Sequence, residues 1–138
     1  MATTIFTKII AGEIPCFRVY EDEKVFAFLD INPLSRGHTL VLPKEPAETL
    51  DQLSEESAAA LGRVLPRLSR AILHATGATA FNLLQNNGAT AHQAVMHVHF
   101  HIIPKYADSS GLGLQWPARS LSTDEGTAVA TAIVEQIR

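Results

Sequence analysis

Hydrophobic residues recur at helical spacing in three parts of the chain. The first is a short segment near the start, which Gly12 would close. The second is a long stripe between Ser54 and Gly77, with capping residues at both ends and an internal proline, Pro66, that predicts one kinked helix. The third begins at a capping box whose serine is Ser122. The apolar faces of the three predicted helices comprise Ile5, Phe6, Ile9 and Ile10; Leu61, Val64, Leu65, Leu68, Ile72 and Ala75; and Val129, Ile133 and Ile137.

Five other segments are typical of strands, because they are short, rich in β-branched or aromatic residues and bounded by turn formers. A polar stretch of four residues separates the first two and predicts a hairpin. The last is expected to stop at Pro104, which cannot donate to a ladder. The predicted strands are residues 17–20, 25–29, 39–42, 80–85 and a run from residue 97. Together with the helices they predict a single α+β domain over residues 1–138, built on an antiparallel sheet of about five strands.

Three histidines occupy alternate positions of the last predicted strand. His97, His99 and His101 are separated by single apolar residues, so their imidazoles would share one face, roughly 6–7 Å apart. The chain has six histidines in all, so three in strict alternation favour a functional site over a polar strand face. Asp30 and His38 fall at the ends of other predicted strands, where a scaffold presents functional side chains. Asp30 alone is equally typical of a turn.

Composition narrows the classes of function. The 138 residues carry a net charge of −3, which provides no basic field for nucleic acid. An anionic ligand therefore needs a locally built pocket. The single cysteine, Cys16, excludes an internal disulfide and suits a reducing compartment. No apolar run reaches membrane-spanning length and no signal peptide precedes the first helix, so we expect a cytoplasmic protein without a membrane partner.

Alternating histidines suit three kinds of site. Imidazoles two apart on a strand can converge on zinc, with further ligands from His38, His92 or Asp30. A neutral imidazole is also a competent nucleophile towards phosphorus near pH 7, and neighbouring imidazoles would keep it neutral while donating to phosphate oxygens. The third possibility is a structural strand whose imidazoles are all hydrogen-bonded. The residue types favour the nucleophile and leave the other two open.

The chain resembles the histidine triad (HIT) superfamily, in its branch of nucleotide-binding phosphoramidases. The most specific element is the run His-Val-His-Phe-His-Ile-Ile at 97–103, which matches the motif that names the superfamily. Further similar blocks follow in the same order over residues 5–117. They are Ile-Phe at 5–6, Ile-Pro at 14–15, Val-Tyr-Glu-Asp at 19–22, Asp-Ile-Asn-Pro at 30–33, Gly-His at 37–38, Leu-Pro-Lys at 42–44, Asn-Asn-Gly at 86–88 and Trp-Pro at 116–117.

The resemblance implies a HIT-like fold and a homodimer whose sheets are joined through the long helix and the strand near residue 80. It also implies a purine nucleotide-binding hydrolase. Such enzymes cleave nucleoside phosphoramidates, aminoacyl adenylates or dinucleoside polyphosphates at the α-phosphate through a nucleotidyl-histidine. An alternative is a nucleotide-binding regulatory or interaction module with only residual hydrolase activity.

The resemblance also implies a role for each matching residue. His99, the middle histidine, is the expected nucleophile. His101 and His38 are expected beside it as hydrogen-bond partners of the phosphate and the nucleophile, and His97 as a support from the start of the strand. The implied substrate-binding positions are Asp30, Asn86, Gln93 and Val95 for ribose and phosphate, and Phe6, Ile9, Phe28 and Ile31 for an apolar base pocket.

Two departures from the family pattern affect what we expect. Many bacterial relatives hold structural zinc with a Cys-x-x-Cys pair and a histidine, but the matching residues here are Thr4, Thr7 and Pro46. Because these side chains cannot replace two thiolates and an imidazole, we expect no zinc and no other cofactor. Ala94 stands where relatives usually carry Ser or Thr, so a hydroxyl that could contact the phosphate or the leaving group is missing.

Overall fold

The computed structural model describes residues 3–137, and these form three α-helices and five strands. In chain order the elements are α1 (Ile5–Ile10), β1 (Arg18–Glu21), β2 (Val25–Leu29), β3 (Thr39–Pro43), α2 (Glu55–Thr76), β4 (Ala80–Gln85), β5 (Phe100–Lys105) and α3 (Thr123–Gln136). The strands form one antiparallel sheet in the order β1-β2-β3-β5-β4. The α+β class and the five-stranded antiparallel sheet are therefore confirmed.

The histidine run is the part of the sheet where the sequence prediction is wrong. Strand β5 begins at Phe100, so of the three alternating histidines only His101 lies in the ladder. The backbone before it is bonded elsewhere: the Val98 N–H donates to the Ala47 carbonyl at 2.9 Å. Pairing with β3 begins only at Phe100, because tertiary bonds to the 44–49 loop replace strand pairing upstream.

Pro104 does not end the strand, contrary to expectation. It lies inside β5 and is paired with Phe81 of β4. The pairing of β5 with β3 stops at Ile102, so Pro104 has a strand neighbour on one side only, where a missing N–H is tolerated. Its carbonyl accepts a hydrogen bond from the Ser35 hydroxyl at 2.6 Å.

The two faces of the sheet pack against different helices. Helix α2 covers one face, and its apolar stripe forms a core with Val25, Ala27, Val41 and Ile102 of the sheet. The much shorter α1 covers part of the other face, where Phe6 and Ile9 pack on residues of β2 and β3. Because six residues of helix span only about 9 Å, α1 leaves the same face open over β5 and β4. That uncovered area contains the candidate site.

Local capping signals set the ends of α2 as predicted. The Ser54 hydroxyl accepts from the Ser57 N–H, and Gly77 takes the left-handed conformation with φ 78°. Between them the helix is continuous through Pro66, so the prediction of one helix rather than two is confirmed. Four of the six predicted stripe residues are buried, and Ile72 packs against the edge of the same core.

Helix α3 begins after Ser122, whose hydroxyl accepts from the Glu125 N–H as the capping pattern predicts. None of its residues is buried. The extent of the domain over residues 1–138 therefore stays a prediction, because α3 shares no core with the sheet and residues 1, 2 and 138 lie outside the described part. Across residues 3–137, no helix is both long enough and apolar enough to cross a membrane.

Candidate active site

A cavity of about 650 Å³ lies over β5 and β4, on the sheet face that α1 leaves open. Its lining contains both polar side chains and leucine and isoleucine side chains. The polar lining consists of Asp30, Asn32, His38, Asn86, His92, His99 and His101. The apolar lining consists of Leu34, Leu84, Ala94, Ile103, Leu112 and Leu114, with Gly113 between the last two.

His99 has one ring nitrogen fixed and the other free. Its Nδ1 lies 2.7 Å from the carbonyl oxygen of His97, which can only accept, so Nδ1 carries the hydrogen. In the neutral ring Nε2 is then an unprotonated lone pair. Nε2 has no hydrogen-bond partner among the described residues. Every fully buried side-chain nitrogen or oxygen in residues 3–137 does have one, so Nε2 is not fully buried and is open to the cavity. The Phe6 ring packs edge-on against the imidazole at 4.8 Å and fixes its plane.

His38 and His101 form a hydrogen-bonded pair with defined tautomers. The Leu34 N–H donates to Nδ1 of His38 at 3.0 Å, so the hydrogen of His38 sits on Nε2. That Nε2–H donates to Nδ1 of His101 at 2.9 Å. His101 must therefore carry its own hydrogen on Nε2, which is left as a donor for a ligand in the cavity.

Burial keeps these imidazoles neutral. Burial, together with the nearby His99 and His38, lowers the pKa of His101 to about 4. Burial is also the main cause that lowers the pKa of His99 and of His38. At pH 7 the Nε2 lone pair of His99 is therefore unprotonated, and an anionic ligand in the cavity would meet neutral donors.

His97 supports the site from outside the cavity. It is completely buried, and its Nε2–H donates to the Pro43 carbonyl at 2.8 Å. Its own carbonyl is the acceptor that orients His99. Burial lowers the pKa of His97. The supporting role that the resemblance implies for His97 stays a prediction.

Asp30 lines the cavity and lies directly after β2. One carboxylate oxygen accepts from the Asn32 N–H at 2.8 Å, and the other lies 3.6 Å from Nε2 of His38. Asp30, His38 and His101 together could hold a metal ion by geometry, since their ligand atoms lie within 4.8 Å of one another. The 2.9 Å contact between the two imidazoles, however, is a hydrogen bond with a proton between the nitrogens.

The other residues predicted to contact ribose or phosphate do not all line the cavity. Asn86 lines the cavity beside His99. Gln93 is buried beneath the loop that follows β4: its amide donates to the carbonyls of Glu48 and Val95 and accepts from the Gly88 N–H. Val95 is half-buried against the α1 core. The side chain of Gln93 is thus committed to holding the loop.

The predicted base pocket is not part of this cavity. Phe6, Ile9 and Phe28 are buried in the core between α1 and the sheet, and Ile31 is 76% exposed. None of the four lines the cavity beside the histidines. Their role as a base-binding group stays a prediction.

Sequence reasoning missed the apolar wall, and it named His92 only as a possible zinc ligand. Leu84 faces the cavity because it is paired with His101 across β4 and β5. This placement depends on the register between the two strands, which the sequence pattern does not give. Leu112 and Leu114 reach the cavity because the chain folds back after β5, where the Lys105 amine donates to the Ser109 and Leu112 carbonyls. Alternation of Leu84 with Asn82 and Asn86 was the only sequence signal for this wall.

Comparison with known proteins agrees with this geometry. The HIT domain family matches residues 11–108, most of the chain. The chain belongs to the HIT domain family. The histidine run, the sheet and the cavity all lie within or beside the matched region.

Relatives and solved structures extend the similarity to almost the whole chain. The adenosine 5'-monophosphoramidase hnt1 of Schizosaccharomyces pombe is 46% identical over 134 residues, covering 97% of this chain and 98% of the relative. The adenylylsulfatase HINT3 of Arabidopsis thaliana is 48% identical over 101 residues, covering 73% of this chain and 51% of the relative. A HIT family crystal structure from Bacillus subtilis superposes with a TM-score of 0.95 at 38% identity, covering 99% of both chains. The fold is therefore the HIT fold.

Proposed function

We propose that this HIT protein is a nucleotidyl hydrolase that cleaves adenosine phosphoramidates and related bonds, such as those of aminoacyl adenylates and dinucleoside polyphosphates, at the α-phosphate. The observation that carries the proposal is the state of His99: a neutral ring, Nδ1–H bonded to a carbonyl, and Nε2 free in the cavity. The names of the relatives, an adenosine 5'-monophosphoramidase and an adenylylsulfatase, indicate the substrate class.

In the first step Nε2 of His99 attacks the α-phosphorus, and the bond from phosphorus to the leaving group breaks. The ring becomes positively charged as the new bond forms, which strengthens the hydrogen bond from Nδ1–H to the His97 carbonyl. The Nε2–H of His101 donates to a phosphate oxygen, and His38 fixes the tautomer that makes this possible. Most of the rate enhancement then comes from positioning and preorganised donors.

In the second step water attacks the phosphorus of nucleotidyl-His99. The electron pair of the phosphorus–nitrogen bond returns to Nε2, and AMP is released. Asp30, which lines the cavity beside His38, is assigned to the ribose hydroxyls. The base is assigned to the side of Ile31, whose exposed side chain follows Asp30 directly.

Measured turnover tests this proposal. Adenosine 5'-phosphoramidate, an aminoacyl adenylate and a dinucleoside polyphosphate should be assayed side by side, with AMP binding measured on the same preparation. We expect AMP formation from the phosphoramidate to be the fastest of the three. Binding of AMP without turnover of any of them would instead identify a nucleotide-binding module.

We infer that two copies of the chain join through β4 and α2. Strand β4 is at the edge of the sheet, and its Phe81 and Leu83 are 39% and 48% exposed. With Leu65 and Leu73 of α2 they line an apolar groove of about 530 Å³. An apolar edge strand with free backbone groups is a surface that soluble proteins cover, and a second β4 in antiparallel pairing would cover it.

Leu83→Arg tests this interface. The wild type should sediment at about 30 kDa, twice the chain mass of 15.0 kDa, and the variant should shift to the monomer mass because a charge is placed in the apolar contact. Val19→Arg is the matched control, since Val19 is exposed to a similar extent on β1, at the opposite edge. A Leu83→Arg variant that remained dimeric would place the interface elsewhere.

We also propose that the protein has no structural zinc. Thr4 and Thr7 form the capping box of α1, in which each hydroxyl bonds the backbone of the other residue. Neither hydroxyl is a zinc ligand of the usual type, and Pro46 offers no side-chain donor atom. Elemental analysis of protein purified without added metal should find far less than one zinc per chain, and hydrolysis should survive EDTA. One zinc per chain would contradict the proposal.

We infer that the protein is located in a reducing compartment such as the cytoplasm. Cys16 is the only cysteine of the chain and is free. Burial raises the pKa of its thiol, which keeps it in the less reactive protonated form. A small domain stabilised without any disulfide is typical of reducing surroundings.

A further inference from the structure

His92 lines the catalytic cavity in a conformation that a histidine rarely adopts. Its backbone is left-handed, with φ 69° and ψ 22°. Only two non-glycine residues in the described part of the chain have a positive φ. Strained backbone of this kind persists where the surroundings impose it, and it concentrates at functional sites.

The loop that carries His92 is held firmly on both sides. The His92 N–H donates to the Ala89 carbonyl, and its own carbonyl lies 3.5 Å from the Asn86 amide nitrogen. Immediately after it, the buried Gln93 side chain ties the loop to Gly88 and to Glu48. These bonds fix the backbone of His92 beside the cavity that its side chain lines.

His92 lies across the cavity from the ribose end. Strand β5 has β3 on one side and β4 on the other. Asp30 and His38 belong to the β3 side, whereas His92 and Asn86 follow β4. With the ribose assigned to Asp30, the β4 side is left for the leaving group on the α-phosphorus.

The cavity offers few groups that could protonate a leaving group, because the Nε2–H of His101 is already assigned to a phosphate oxygen. Among the described residues no lysine or arginine lines it, and Ala94 next along the loop offers only a methyl group. The titratable groups that face the same space are Asp30, His38, His99 and His101. The three histidines among them are held neutral by burial, whereas His92 is exposed to solvent.

We propose that His92 is a catalytic residue that protonates the leaving group. As Nε2 of His99 bonds to phosphorus, the phosphorus–nitrogen bond of the substrate breaks, its electron pair goes to the leaving nitrogen, and a proton carried by the His92 side chain converts that nitrogen to a free amine. His92 then regains a proton from solvent, to which it is exposed. This role rests on the proposed function. The substrates that need His92 are those whose leaving group is too basic to depart as an anion.

His92→Asn tests the role, because asparagine tolerates the left-handed backbone and removes the imidazole. The first-turnover rate of leaving-group release should fall by about 10²-fold or more with an adenosine alkylphosphoramidate. It should fall far less with the 4-nitrophenyl ester of AMP, whose leaving group needs no proton. Added imidazole should restore part of the lost rate. His74→Asn, which changes an exposed histidine outside the cavity, should leave both rates unchanged.

The outcomes separate this role from the proposed function. Equal losses with both substrates, or no rescue by imidazole, would mean that His92 only shapes the loop. A wild-type alkylphosphoramidate rate retained in His92→Asn would also overturn the role and leave the function of the site intact. Failure of the wild type itself to hydrolyse either substrate would instead refute the proposed function. His92→Gly, which suits the same φ, should reproduce the His92→Asn result if folding is not the cause.

Discussion

His99→Asn should lower the turnover of an adenosine phosphoramidate by at least about 10³-fold, the scale on which loss of a nucleophile acts. The substitution removes the nitrogen that attacks phosphorus. It removes little of the binding surface, because His38, His101 and Asp30 keep their mutual contacts. AMP affinity should therefore stay within a few-fold of the wild type. Steady-state kinetics with calorimetric titration of AMP measures both quantities.

His101→Asn is the comparison for that result. His101 donates to the phosphate in the proposed mechanism but forms no bond to phosphorus, so its loss should be the milder of the two. His97→Asn should also be milder than His99→Asn, because the orienting acceptor is the backbone carbonyl of His97, which remains. Turnover in His99→Asn close to that of the wild type would refute the nucleophile. The triad would then act as a phosphate clamp around a directly attacking water.

Gly37→Ala should destabilise the folded protein by about 2 to 5 kcal/mol, from backbone strain and a steric clash together. Gly37 has φ +92°, where an L side chain is strained by about 1–2 kcal/mol. An added Cβ would also lie 2.7 Å from the Thr76 side chain at the end of α2 and 3.4 Å from the Pro104 ring. The loop before His38 would have to move away from α2. Urea unfolding at fixed protein concentration measures the change.

Gly12→Ala is the matched control for this prediction. Gly12 has a similar φ of +81°, but a Cβ there would meet nothing within 4 Å. Its substitution should therefore cost only the backbone strain of about 1–2 kcal/mol. Equal losses for the two variants would show that close packing of Gly37 against α2 does not contribute. A stable Gly37→Ala with unchanged activity would contradict the described contact between the His38 loop and α2.

Elements specified by local signals could be predicted from the sequence. The bounds of α2 follow from Ser54 and Gly77. The Ser54 side chain caps the first turn, and Gly77 ends the last turn because glycine readily takes the left-handed conformation. Strands β2 and β4 begin and end where apolar runs meet turn formers. The resemblance implied that His38 and His101 lie beside His99, and all three line one cavity with Asp30. Their roles stay predictions.

What could not be predicted depends on tertiary contacts. The start of β5 is set by the bond from the Val98 N–H to the Ala47 carbonyl, 51 positions away in the chain, which no local pattern encodes. Pro104 is tolerated within β5 because β3 ends its pairing at Ile102. The leucine wall arises from strand register and from a chain reversal held by Lys105. The burial of Phe6 and Phe28 beneath His99 follows from how α1 lies on the sheet.

Trapping of the covalent intermediate tests the central claim most directly. Wild-type protein mixed with a slowly hydrolysed adenosine phosphoramidate should be quenched briefly in the cold and digested, because a phosphorus–nitrogen bond to histidine is labile in acid. Mass spectrometry should find one added AMP group on the peptide that contains residues 93–105, with fragmentation placing it on His99. His99→Asn treated in the same way should show none. An adduct on another residue, or AMP release at the wild-type rate with no adduct under conditions that preserve phosphohistidine, would contradict nucleophilic attack by His99.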